Sequence, residues 1–79
     1  MNGKARKAPR FIIESDQNPS SALFAGEDAS RNYGRVFYKV SQLDKKRWAV
    51  ELISGRREQL FETINMAGFE IKSEEMVSY

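Results

Sequence analysis

Residues 35–79 read RVFYKVSQLDKKRWAVELISGRREQLFETINMAGFEIKSEEMVSY, and their periodicity decides the fold. Val36, Tyr38 and Val40 alternate with Phe37, Lys39 and Ser41, the period of two of a strand. Trp48, Val50 and Leu52 repeat the pattern against Ala49, Glu51 and Ile53. The polar link Leu43-Asp44-Lys45-Lys46 is short, so the two runs predict a β-hairpin. Ser54-Gly55 then interrupts the strand and the period changes. Across Arg56–Ala67, the residues Leu60, Phe61, Ile64 and Ala67 fall at i, i+1, i+4 and i+7, one face of a helix. Gly68 suits the left-handed position after a helix. Phe69 and Ile71 alternate with Glu70 and Lys72, a last strand that continues weakly through Met76 and Val77. The stretch therefore predicts a β-β-α-β core.

Upstream the signals are weaker. Arg10–Glu14 contains Phe11, Ile12 and Ile13, a short strand, expected at a sheet edge. Asn18-Pro19 is a helix-start signal and Gly26 a matching stop. Pro19–Ala25 thus reads as one or two helical turns, and Ala22–Ala25 equally well as a short strand. Residues 1–9 are polar and basic, with Gly3 and Pro9, and read as a flexible, disordered arm.

The expected architecture is one α+β domain over residues 10–79, preceded by that arm. It has a small, mainly antiparallel sheet of three or four strands and one principal helix. The expected core comprises Ile12, Val36, Tyr38, Val40, Trp48, Val50, Leu52, Leu60, Phe61, Ile64 and Phe69. A chain of 79 residues buries a modest core and is usually marginal without a staple. With no Cys there is no disulfide or thiolate metal site, and with no His the commonest metal ligand and neutral-pH base are missing. No cofactor is implied. Oligomerisation through an open sheet edge, as a homodimer, is one way to gain stability. No apolar run approaches a membrane span, and the apolar stretch behind the basic N-terminus is too short for a signal peptide. These features read as a cytoplasmic protein that is not an enzyme and has no membrane partner. Ser20, Ser21 and Ser30 have no base and no nucleophile motif around them.

Charge is laid out in blocks: +4 over residues 1–10, −3 over 11–33, +5 over 34–57 and −4 over 58–79, for a net +2. Such segregation can build a basic stripe that attracts polyanions even at small net charge. Three clusters carry the basic residues. Lys45, Lys46 and Arg47 sit at the expected hairpin tip, where a loop can meet a phosphate backbone. Arg56 and Arg57 begin the expected helix, where free N–H groups favour an anion; the plain alternative pairs Arg57 with an acid such as Glu58 or Glu62. Lys4, Arg6, Lys7 and Arg10 lie in or beside the arm. Phe37, interleaved with Arg35 and Lys39, is a candidate for stacking on bases, whereas Trp48 belongs with Val50 and Leu52 in the core. The strand from Arg47 to Ile53 separates the tip from Arg56-Arg57 by roughly 20 Å, so only an extended ligand touches both. The leading expectation is a small nucleic-acid-binding protein, for DNA or RNA, that contacts phosphates. The alternative is a small protein-interaction module that binds and regulates or inhibits a larger partner, using a sheet edge or the acidic Glu70–Glu75 segment.

Overall fold

The computed structural model describes residues 7–30 and 36–78. Along them run β1 (Lys7–Glu14), α1 (Ser20–Ser30), β2 (Phe37–Gln42), β3 (Arg47–Ser54), α2 (Arg57–Met66) and β4 (Ile71–Ser78). The strands form one sheet in the order β2-β3-β1-β4, and every neighbouring pair is antiparallel. Thus β3 lies between β1 and β2, and β1 lies between β3 and β4. Each β-α-β unit is split by a strand of the other, which is the ferredoxin-like arrangement.

The hairpin, the helix after it and the last strand lie where the sequence places them, but they are not a self-contained core. β1 is not an edge: it is inserted between β3 and β4, and the edges are β2 and β4. The unbroken Phe11-Ile12-Ile13 run falls on this interior strand, where each residue is flanked by a neighbouring strand on both sides. Phe11 and Ile13 are fully buried in the core cluster, and Ile12 is buried on the opposite face. The strand also begins at Lys7, inside the stretch expected as a disordered arm, and Lys7–Pro9 pair with Met76–Ser78. Ser15, at the other end, donates its backbone N–H to the carbonyl of Lys46 in the β3 strand's direction. Alternation then aims the backbone nitrogen of Pro9 toward β3 as well. Proline has no N–H to give, and the β1–β3 ladder stops next door at Arg10.

There are two helices of similar length among the described residues, rather than one principal helix. α1 has 11 residues and α2 has 10. The Asn18-Pro19 start is real: Asn18 Oδ1 accepts the backbone N–H of Ser20 at 2.9 Å. Gly26, however, does not stop α1. A Cβ there would lie 2.4 Å from the Thr63 carbonyl oxygen and 2.8 Å from the Ala67 nitrogen, so glycine is what lets α1 and α2 touch backbone to backbone. α2 ends as predicted. Gly68 has φ 91°, its N–H bonds the Asn65 carbonyl at 3.0 Å, and the Phe69 N–H bonds the Ile64 carbonyl at 3.2 Å. These are the two bonds of a Schellman cap.

The core lies between the sheet and the helices. Phe11, Ile13, Trp48, Val50 and Leu52 from the sheet meet Leu23 of α1 and Leu60 and Ile64 of α2, with Val36 closing one side. Tyr38, Val40, Phe69 and Ile71 are packed against it but only partly buried. Phe61 is not in the core: it is 40% exposed. Its ring instead leans on Phe11 with centroids 6.1 Å apart. Among the described residues no helix is long and apolar enough to cross a membrane.

Candidate nucleic-acid interface

Strand alternation gives the sheet a covered face and an open one. Because Tyr38 and Val40 pack on the core, Phe37, Lys39 and Ser41 of β2 point to the open face. The register sets a row of charge across that face: Lys39 opposite Glu51, Glu51 opposite Arg10, and Arg10 opposite Glu75. The signs alternate from β2 to β4. Arg10 Nε donates to Glu75 Oε1 at 2.8 Å, and Glu51 is held at 8% exposure between its basic neighbours. The positive end of the row is therefore Lys39, on the β2 edge.

The hairpin tip lies on the same side. Asp44 organises it: its Oδ1 accepts the backbone N–H groups of Lys46 and Arg47 at 3.1 and 2.9 Å, and its Oδ2 accepts Arg47 Nε at 2.7 Å. The Arg47 side chain, followed by the Lys46 N–H, holds the Asp44 carboxyl below its ordinary range. Arg47 is thus tied to the turn, while Lys45 and Lys46 are exposed and make no ion pair among the described residues. Lys39 is in the same position. Phe37, 53% exposed, stands at the far end of this strip, with exposed Ile53 beside it across a bulge in β3. From Phe37 to Gln42 the strand covers about 17 Å, so Phe37 and Lys39 follow one another along β2 toward the tip that carries Lys45 and Lys46.

The other expected residues are placed differently. Trp48 is buried, and its Nε1 donates to the Ser15 carbonyl at 3.1 Å, which pins the β1–α1 loop to β3. Arg57 is engaged in the fold. It makes a two-point ion pair with Glu74 of β4, with Nε to Oε2 at 2.5 Å, and its guanidinium lies 5.4 Å from the Phe11 ring and 5.3 Å from the Phe61 ring. That hydrogen-bonded pairing lowers the Glu74 carboxyl below the usual glutamate range. The acid is on β4, not at Glu58 or Glu62 where local sequence would put it. Arg56 is exposed; its backbone N–H donates to Gln59 Oε1 at 2.7 Å, and its side chain makes no ion pair among the described residues. Lys7 and Arg56 lie at the end of the sheet remote from the tip, since Glu14, not Lys7, pairs with Arg47. Lys4, Arg6 and Arg35 lie outside the described residues.

One neighbour of the stripe escapes sequence reading. Phe24 of α1 is 72% exposed. Glu27, three residues on and on the same side of α1, lies close enough to Tyr38 for its charge to help keep that hydroxyl protonated, although burial of Tyr38 is the larger cause. Leu23 of the same helix is in the core, so Phe24 is an exposed ring on the helix side of the sheet. The Pro19–Ala25 helix read from Asn18-Pro19 already contains Phe24; what the sequence does not show is that its ring stays exposed. No family model matches this chain, and no curated protein matches it in sequence.

Proposed function

We propose that this is a small non-enzymatic protein that binds single-stranded nucleic acid along the β2 side of the open sheet face. Lys39, Lys45 and Lys46 contact phosphates and Phe37 stacks on a base. The observation that carries this reading is the one-sided supply of unused cations. Lys45 and Lys46 are exposed and make no ion pair among the described residues, Lys39 is exposed on the same edge opposite Glu51, and Phe37 is an exposed aromatic ring two residues from it, while Glu70, Glu74 and Glu75 collect at the opposite edge. The β4 acids are held by Arg10, Arg57 and Lys72, so the field left over for a polyanion comes from the β2 side. Arg47 and Arg57 are supports in this reading, not phosphate ligands, because their guanidinium groups already serve Asp44 and Glu74.

The test is fluorescence anisotropy with a labelled single-stranded oligonucleotide. Three phosphate contacts give a log–log salt slope of about −2, so affinity falls roughly 20-fold between about 50 and 200 mM salt. The double substitution Lys45→Ala/Lys46→Ala lowers affinity and flattens that slope to about −0.7. Absence of saturable binding at the lower salt overturns the reading and leaves a protein partner as the ligand to seek.

A further inference from the structure

The two edges of the sheet are unequal. β4 carries acids, and its pairing with β1 is broken by a bulge at Lys72, because Ile12 faces Ser73 while Ile13 faces Ile71. Bulges and charges are the devices that keep an edge from pairing. β2 carries a single charge, Lys39, and its own run has no bulge. The N–H of Leu43 bonds the Arg47 carbonyl at 2.9 Å, so by alternation the odd-numbered residues of β2 bond β3. Tyr38, Val40 and Gln42 then aim their N–H and C=O groups outward, where they meet no backbone partner among the described residues.

We infer that β2 pairs antiparallel with β2 of a second copy of this chain, with Val40 on the two-fold axis. The strand is self-complementary in that register. Val40 faces Val40, Tyr38 faces Gln42, and Lys39 faces Ser41, so no like charges stand directly opposite each other. The neighbouring register would set Lys39 against Lys39. The helix side of the sheet also leaves an apolar side chain uncovered: Phe24 of α1 is 72% exposed, surface that a second copy would cover. A two-fold pairing of like edges closes on itself, whereas β2 against β4 would propagate without end. It also supplies the staple that a small chain without cysteine cannot gain from a disulfide. In the eight-stranded sheet that results, the two Phe37–Lys39 stripes run side by side on the open face. The dimer does not depend on nucleic-acid binding.

Light scattering on a sizing column, over roughly 5–500 μM protein, reads the mass directly, since mass action favours the dimer as concentration rises. The expected result is twice the 9.1 kDa chain mass at the upper end. Two substitutions should return it to 9.1 kDa with an unchanged far-ultraviolet circular dichroism spectrum. Val40→Pro deletes an outward N–H and leaves the β3 ladder intact, and Phe24→Glu alters a side chain that the monomer exposes. Amide exchange adds a residue-level readout: in the dimer, Val40 is protected as strongly as its neighbour Ser41. A monomer at every concentration overturns the inference. So does a dimer that survives both substitutions, or an open-ended series of oligomers, which would indicate β2-to-β4 pairing.

Discussion

At the β4 edge Lys72, Glu74 and Glu75 are all in ion pairs: Lys72 with Glu70 and Glu14, Glu74 with Arg57, and Glu75 with Arg10. At the β2 edge Lys39 has no ion pair among the described residues, and Phe37 and Ile53 on that side of the sheet and Phe24 on α1 are exposed apolar side chains. Charges that face one another within a fold cancel the local field, and charges without partners leave it available to a ligand. The β4 side therefore holds the molecule together, while the β2 side presents what is left over. α2 belongs to the first through Arg57 and Phe61, and α1 to the second through Glu27 and Phe24.

The sharpest way to break this division is to cut into the β4 half. Phe11 is fully buried, lies under the Arg57 guanidinium and touches Phe61. Phe11→Ala should cost about 3–5 kcal/mol, the usual result of emptying a buried aromatic site, and urea unfolding would show it. A loss below about 1 kcal/mol would mean that the aromatic cluster is not the anchor. The next largest effect is expected at the seam between the halves. In Gly26→Ala the better helix propensity of alanine returns at most about 1 kcal/mol, but the new methyl meets backbone atoms of α2 and forces the helices apart. Overpacking of this kind commonly costs about 1–3 kcal/mol, so the variant should be less stable than the parent in spite of its helix propensity.

Acid tests the β4 side alone. Glu74 titrates below its ordinary value because Arg57 holds the carboxylate. A carboxyl with a lowered folded pKa lends stability above its unfolded pKa and loses it as pH falls through the folded one. Unfolding midpoints should therefore drop below about pH 4.3, and Glu74→Gln should weaken that dependence while lowering stability at neutral pH. Asp44, also lowered, contributes to the same acid limb from the hairpin turn, so the dependence is reduced rather than abolished. An identical pH profile for parent and variant would show that the Arg57–Glu74 pair does not stabilise the fold.

How much of this was legible in the sequence follows from the length scale of each signal. The hairpin, α2 and its glycine stop depend on neighbours in the chain, and alternation and capping report them. The sheet order does not: nothing local to Phe11-Ile12-Ile13 says that β1 passes between β3 and β4. α1 was obscured because its inward face is a leucine and a glycine, Leu23 and Gly26, and a glycine that enables contact looks the same as one that ends a helix. Of the candidate site, strand parity puts Phe37 and Lys39 on the same face of β2, and Lys45 and Lys46 fall in the turn that ends it. Arg57 was misread because its partner Glu74 is 17 residues away, beyond the reach of any helical spacing.

Phe37 separates the two halves most finely, because it should matter least to the fold. It is 53% exposed on an edge strand, so Phe37→Ala should change stability by no more than about 0.5 kcal/mol. Base stacking on an aromatic ring is worth about 1–3 kcal/mol, so the same substitution should weaken single-strand binding by about 5-fold or more. The salt slope should stay near its parent value, since no phosphate contact is lost. Phe11→Ala shows the opposite balance, with a large loss of stability and no direct loss of a ligand contact. If Phe37→Ala proved as destabilising as Gly26→Ala, the ring would be part of the fold, and the β2 side would be structural in the same sense as β4. If stability and affinity were both unchanged, Phe37 would leave the interface, and the stripe would reduce to its three lysines with an affinity governed by salt alone.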